Sequence, residues 1–94
     1  MHAVVAIFEM DKPEGASLAY LDGIVSRVSA EEGFVSGYWT HDGEKAYNLL
    51  IFDTIEAAER RAADIRQNAA NQRAAGLQPA VVTVAEVVAH AARP

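Results

Sequence analysis

The spacing of apolar residues along the chain alternates between a period of two and a period of about 3.6, and each switch marks an element. Positions 2 to 10, HAVVAIFEM, form a β-branched and aromatic run that stops at Asp11, Lys12, Pro13, Glu14 and Gly15, a loop-forming cluster. This predicts a first strand. From Ser17 the pattern becomes helical, with Leu18, Leu21, Ile24, Val25 and Val28 on one stripe and Asp22, Arg27 and Glu31 off it. Ser17 is the expected N-cap and Gly33 the left-handed stop. Phe34 to His41 and Glu44 to Asp53 are strand-like runs joined by Asp42-Gly43, a dipeptide suited to a two-residue type I′ turn. Thr54 then caps a second helix whose inner stripe is Ile55, Ala58, Ala62, Ile65 and Ala69, ending at Gly76. Pro79 opens a last strand, AVVTVAEVVAH, and the tail AARP frays.

The order is therefore βαββαβ, the split βαβ arrangement. The expected fold class is α+β, ferredoxin-like: a four-stranded antiparallel sheet with both helices on one face, in a single domain spanning 1–94. An antiparallel sheet wetted on one side should alternate apolar and polar residues. Here both faces are apolar: Val4, Ala6 and Phe8 against Val5 and Ile7; Leu50 and Phe52 against Leu49 and Ile51; Val82, Val84 and Val88 against Val81 and Val87. Two helices cover one face only, and the other would exceed the roughly 300–600 Å² apolar patch usual for a monomer. A homodimer that buries it is the economical solution, the alternative being a monomer with a hydrophobic binding face.

Composition narrows the classes of function. With 51% hydrophobic and 22% charged residues the chain is that of a packed globular protein, not a disordered one. A formal charge of -5 without a basic stripe argues against nucleic acid as a partner. The absence of cysteine removes thiolate nucleophiles and thiolate metal sites. The first apolar run is short and lacks a basic flank, which predicts neither a signal peptide nor a membrane span, and hence a cytoplasmic location. No phosphate loop, nucleophile elbow or dinucleotide fingerprint is present.

Chemistry is sought in the hairpin. With Asp42-Gly43 as the turn, 41 pairs with 44, 39 with 46, 37 with 48 and 35 with 50, so His41, Trp39 and Asn48 share a face. Gly37 opposite Asn48 would leave free volume beside a polar amide, a pocket floor in which Asn48 donates to a phenolic oxygen or oxyanion. The plainer alternative is a satisfied Asn, a core Trp and a His at a hairpin mouth. Tyr38 and Tyr47 pair on the other face, packing or lining a cavity. Glu9 and Glu86 fall near strand ends. Glu56, Arg60 and Asp64 read as a solvated ion-pair ladder, while Arg66 and Arg73 flank the inner stripe and could meet an anion. His2, His41 and His90 lack close ligand spacing, so no metal is expected.

The stretch LDGIVSRVSAEEGFVSGYW, a DG hairpin, the strand YNLLIFDT and the helix TIEAAERRAADI resemble the antibiotic biosynthesis monooxygenase-like family of dimeric α+β barrels, GFVSGYW at 33–39 being the most specific part. The resemblance spans nearly the whole chain. It implies a homodimer and oxidation of a small aromatic phenol or quinol by molecular oxygen without a cofactor. The family also includes haem degraders that use an Asn on the first strand with a Trp and a His further along. Here the first strand has no Asn and the second helix neither Trp nor His, so that triad does not carry over and haem is disfavoured. The expected site is then Asn48 and His41 as catalytic groups, with Trp39, Gly37, Tyr47 and Arg73 binding the substrate. The alternative is a dimer that binds a small molecule, or is merely structural, without turnover.

Overall fold

A computed structural model describes residues 1–10, 18–74 and 77–94. The elements are β1 (His2–Met10), α1 (Leu18–Ser29), β2 (Phe34–His41), β3 (Lys45–Phe52), α2 (Ile55–Gln67), α3 (Ala69–Ala74) and β4 (Leu77–Glu86). The strands form one antiparallel sheet in the order β2-β3-β1-β4, the ferredoxin-like arrangement expected from the element order. α1 packs on β2, and α2 on β4 and β1.

The alternation of the strands sorts the residues as their pattern requires. Val4, Ala6, Phe8, Leu50 and Phe52 are buried beneath Val28 of α1 and Ala57, Ala58, Ala62 and Ile65 of α2, with Ile24, Phe34, Trp39, Ala46, Val82 and Val84 packed around them. Phe34 meets Phe52 edge-to-face with ring centroids 5.8 Å apart. The alanine stripe of α2 brings that helix close to the sheet. On the opposite, open face Leu49 is 41% exposed, Val81 43% and Tyr38 67%, beside the half-buried Val5, Ile7 and Ile51.

Several boundaries differ from the sequence expectation, each for a local reason. The long second helix is divided at Asn68, whose backbone leaves the helical region with φ of −97° and ψ of 19°; its N–H keeps the bond to the Asp64 carbonyl at 3.0 Å, and its side-chain amide donates to that carbonyl and to Asp64 Oδ1, both at 2.9 Å. β4 begins at Leu77 and not after Pro79. It tolerates the proline because it is an edge strand and its register shifts between Ile7 and Phe8 of β1. It stops at Glu86 and not His90: the Val87 N–H reaches the Met1 carbonyl at 3.0 Å, where β1 runs out. Val88 lies beyond the strand and is 88% exposed. The Ser17 cap and the Gly76 stop lie outside the described residues, whereas the Thr54 cap forms, accepting from the Ala57 N–H at 3.2 Å.

Gly33 is left-handed, with φ of 86°, although α1 has ended at Ser29, and it feeds β2 rather than terminating the helix. A Cβ there would stand 2.6 Å from Asp53 Oδ1 and 2.9 Å from the Ala57 Cβ, and the Gly33 carbonyl accepts from the Asp53 N–H. Gly33→Ala is therefore expected to cost about 2–3 kcal/mol, from disfavoured φ plus overlap, read as a lower urea midpoint at unchanged slope.

Candidate functional site

The hairpin that carries the candidate residues turns one position later than a type I′ Asp-Gly turn would place it, so each cross-strand partner shifts by two. His41 pairs with Ala46, Trp39 with Asn48 and Gly37 with Leu50. Among the described residues no non-glycine has positive φ, so Asp42 cannot take the first type I′ position, while Gly43 has φ of 94°. The tip is Gly43-Glu44, with the left-handed residue first, as in a type II′ turn. Asp42 instead uses its side chain: Oδ1 accepts from the Glu44 and Lys45 N–H groups, both at 2.8 Å, and Oδ2 from the Tyr47 hydroxyl at 3.1 Å.

A shift of two preserves the faces. Trp39 and Asn48 are directly opposed on the interior side, in a rung that continues through Ala6 to Val82. Asn48 is half-buried, and its side chain makes no hydrogen bond to another described residue. The surroundings are Phe8, Ala46, Leu50 and Trp39, apolar except for this amide. Such an arrangement can orient a flat apolar molecule and present one amide to an oxygen on it.

Gly37 does something other than leave free volume. It faces Leu50, and a Cβ on it would lie 2.9 Å from Leu50 Cδ2 and 3.0 Å from both Cη2 and Cζ3 of Trp39. The six-membered ring of Trp39 folds back over the glycine and occupies the space assigned to a pocket floor. Gly37 thus seats the indole wall.

The remaining candidates are dispersed. His41 is exposed at the hairpin, where its Nδ1 accepts from the Gly43 N–H at 3.3 Å. Tyr47 lies on the open face opposite Thr40, whose hydroxyl donates to the Tyr47 carbonyl at 2.7 Å. Tyr38 is opposite Leu49, so the two tyrosines are not a cross-strand pair. Arg73 is exposed on α3, and Arg66 donates to the Val82 carbonyl at 3.0 Å, which gives it a structural partner on β4. His2 and His41 stand at opposite ends of the sheet, and among the described residues no three His, Cys, Asp or Glu side chains cluster as metal ligands.

Two residues escaped the sequence reading. Arg61 is buried and joins Glu31, 3.0 Å away, to Asp64, so Asp64 serves this tie and not the expected ladder with Arg60. A polar cleft of about 490 Å³ between α1 and α2 includes this tie together with Arg27, Glu32 and Arg60. Gln72 is buried on α3. The signal for both was a polar residue on the stripe 58, 61, 62, 65, 69, 72, whose spacing of three and four assigns it to the interior.

No protein-family model and no curated protein sequence matches the chain. Solved structures do. A candidate antibiotic biosynthesis monooxygenase from Deinococcus radiodurans superposes with a TM-score of 0.76 at 14% identity, over 100% of this chain and 99% of that one. The chain has the fold of the antibiotic biosynthesis monooxygenase-like proteins. A dimeric ferredoxin-like protein from an uncultured marine organism shares that fold with a TM-score of 0.62 at 11% identity, over 99% and 100% of the two chains. So does the heme degrader MhuD of Mycobacterium tuberculosis, determined with two hemes in its active site, with a TM-score of 0.55 at 20% identity, over 95% and 99%. At these identities the likeness is one of fold.

Bonds to the Lys45 and then the Glu44 N–H hold the Asp42 carboxyl below its usual 3.8, and the bond to Asp42 raises the Tyr47 hydroxyl above its usual 10.0. A lowered acid stabilises the fold above its unfolded pKa and loses that contribution as pH falls; a raised phenol does so below its own and loses it as pH rises. The stability gap between wild type and Asp42→Asn should therefore close as pH falls below 3.8, and that to Tyr47→Phe as it rises above 10.0. Urea midpoints across pH measure both.

Proposed function

We propose that the chain forms a homodimer with one interior small-molecule site per subunit, and that the site oxidises a small phenol or quinol with molecular oxygen and no cofactor. The observation that carries the reading is the Asn48 amide, half-buried in an apolar surround beside the only tryptophan, with no hydrogen bond to another described residue. Among the described residues the amide has no partner to compete for it, and an aromatic oxygen held against Trp39 would accept its hydrogen bond.

In this reading Asn48 donates to the oxygen of the substrate as its proton leaves, favouring the electron-rich anion that oxygen attacks. Trp39, seated on Gly37, forms the flat wall. His41 exchanges the proton with solvent at the mouth, its Nδ1 held by Gly43. One oxygen atom becomes a carbonyl at a ring carbon, and the other leaves as water with the two hydrogens lost, one from that carbon and one from the substrate hydroxyl. Arg73 contributes to binding from α3, whereas Tyr47, on the opposite face of the sheet and bonded to Asp42, belongs to the seam with the second subunit and not to this interior site. The fold shared with monooxygenase-like proteins and with a dimeric neighbour supports this reading. Its setting is the cytoplasm, and among the described residues no helix is long and apolar enough to cross a membrane.

Titrating the protein with naphthols, quinols and haem while following Trp39 fluorescence tests the site. Saturable quenching by a phenol or quinol, weakened about tenfold or more by Asn48→Ala, is expected, together with oxygen uptake that the variant lowers. Binding without oxygen uptake would make the domain a binding module. No saturable change with any member of the panel would leave Trp39 and Asn48 as packing residues.

A further inference from the structure

The polar cleft between α1 and α2 contains neither Trp39 nor Asn48, and its lining is charged almost throughout. Around a volume of about 490 Å³ stand Arg27 of α1, Glu31 and Glu32 of the turn that follows it, and Arg60, Arg61 and Asp64 of α2, with Ala57 the one apolar member among the described residues. That size lies within the range of small-molecule sites. Three guanidiniums and three carboxylates share the lining, so a simple anion meets like charge in the cleft and so does a simple cation.

The six charged groups fall into two sets. Arg61 is buried and fixed: Glu31 Oε2 accepts from it at 3.0 Å, and Asp64 Oδ2 pairs with its other terminal nitrogen. Asp64 is held in turn by the Asn68 amide at 2.9 Å. Glu31 is held by its backbone, whose N–H donates to the Val28 carbonyl and whose carbonyl accepts from the Phe34 N–H. These bonds make a fixed floor. The side chains of Arg27, Glu32 and Arg60 are exposed on the walls and, among the described residues, have neither an ion pair nor a hydrogen bond. Arg27 and Arg60 reach the same cavity from different helices, which lets two guanidiniums share one carboxylate. Glu32 supplies an unpaired carboxylate to the same cavity, and Glu31 and Asp64 add to the negative potential around it.

We propose that this cleft is a second binding site, for a free α-amino acid with a polar side chain. Arg27 and Arg60 take the α-carboxylate and Glu32 the α-ammonium group, while Arg61, Glu31 and Asp64 stay paired beneath. A zwitterion satisfies both unpaired signs at once, whereas a molecule that lacks either charged end leaves one of them unanswered. The lining offers one methyl group, at Ala57, and no flat or apolar wall, which selects against aliphatic and aromatic side chains. The site is independent of the interior one.

Calorimetric titration of the full chain with L-serine, L-asparagine, L-glutamine, L-glutamate and L-lysine, beside L-leucine, tests it. At least one of the polar amino acids should bind saturably and about tenfold more tightly than leucine, and its N-acetyl and carboxamide derivatives should each bind about tenfold more weakly than it does. Arg27→Gln and Arg60→Gln should weaken binding to a similar extent at wild-type circular dichroism and Tm, since both side chains are exposed and unpaired among the described residues. Asn48→Ala should leave the affinity unchanged. No saturable binding by any of the polar amino acids would overturn the proposal. Inorganic phosphate bound as tightly as the amino acid would overturn it too, making the cleft an anion site. So would an affinity that both arginine variants leave intact or that Asn48→Ala lowers, either of which puts the amino acid elsewhere.

Discussion

The rest of the structure depends on a sheet that is apolar on both faces. The interior face places Val4, Ala6, Phe8, Leu50 and Phe52 under two helices, and each large buried side chain contributes about 1.5–3 kcal/mol. That burial fixes β1 and β3 as the central strands and aligns Asn48 with Ala6. The outer face repeats the same chemistry with Val5, Ile7, Leu49, Ile51 and Val81, and among the described residues no helix covers it.

Within the covered layer, polar groups stand out because everything around them is apolar. Arg61 is held by Glu31 and Asp64, a pairing that ties the α1–β2 connection to α2 and keeps the charge compensated. Asn48 and Gln72 are not compensated in this way. Trp39 is intermediate: its ring packs on the core through Gly37 and Leu50, yet it borders the same rung as Asn48. Rigid seating of that ring gives a flat partner a fixed surface to meet.

Much of this was legible in the sequence because the period of a strand survives errors of register. A slip of two residues in the hairpin left Trp39 and Asn48 on one face, which any even shift preserves. The tip itself was not legible, since Asp42 has two uses, a left-handed backbone or a carboxylate that accepts from Glu44 and Lys45, and only the folded hairpin selects the second. Asn68 divides a helical pattern that continues on both sides of it, through a change in its backbone angles that the apolar stripe does not register. Gly37 could be read as empty space, but the side-chain conformation of its neighbour fills it. Gln72 went unread, although it is a polar residue at the spacing of an apolar stripe, because pattern alone does not distinguish a buried polar group from one that turns to solvent.

The two-faced sheet makes one demand that can be measured directly, namely that the open face meets a second copy of the chain. Sedimentation equilibrium of wild type beside Leu49→Glu, which places a charge near the centre of that face, reads it most simply. The account expects a wild-type dimer and a folded monomeric variant. A wild type that remains monomeric at high protein concentration, with Leu49 and Val81 in water, would contradict it.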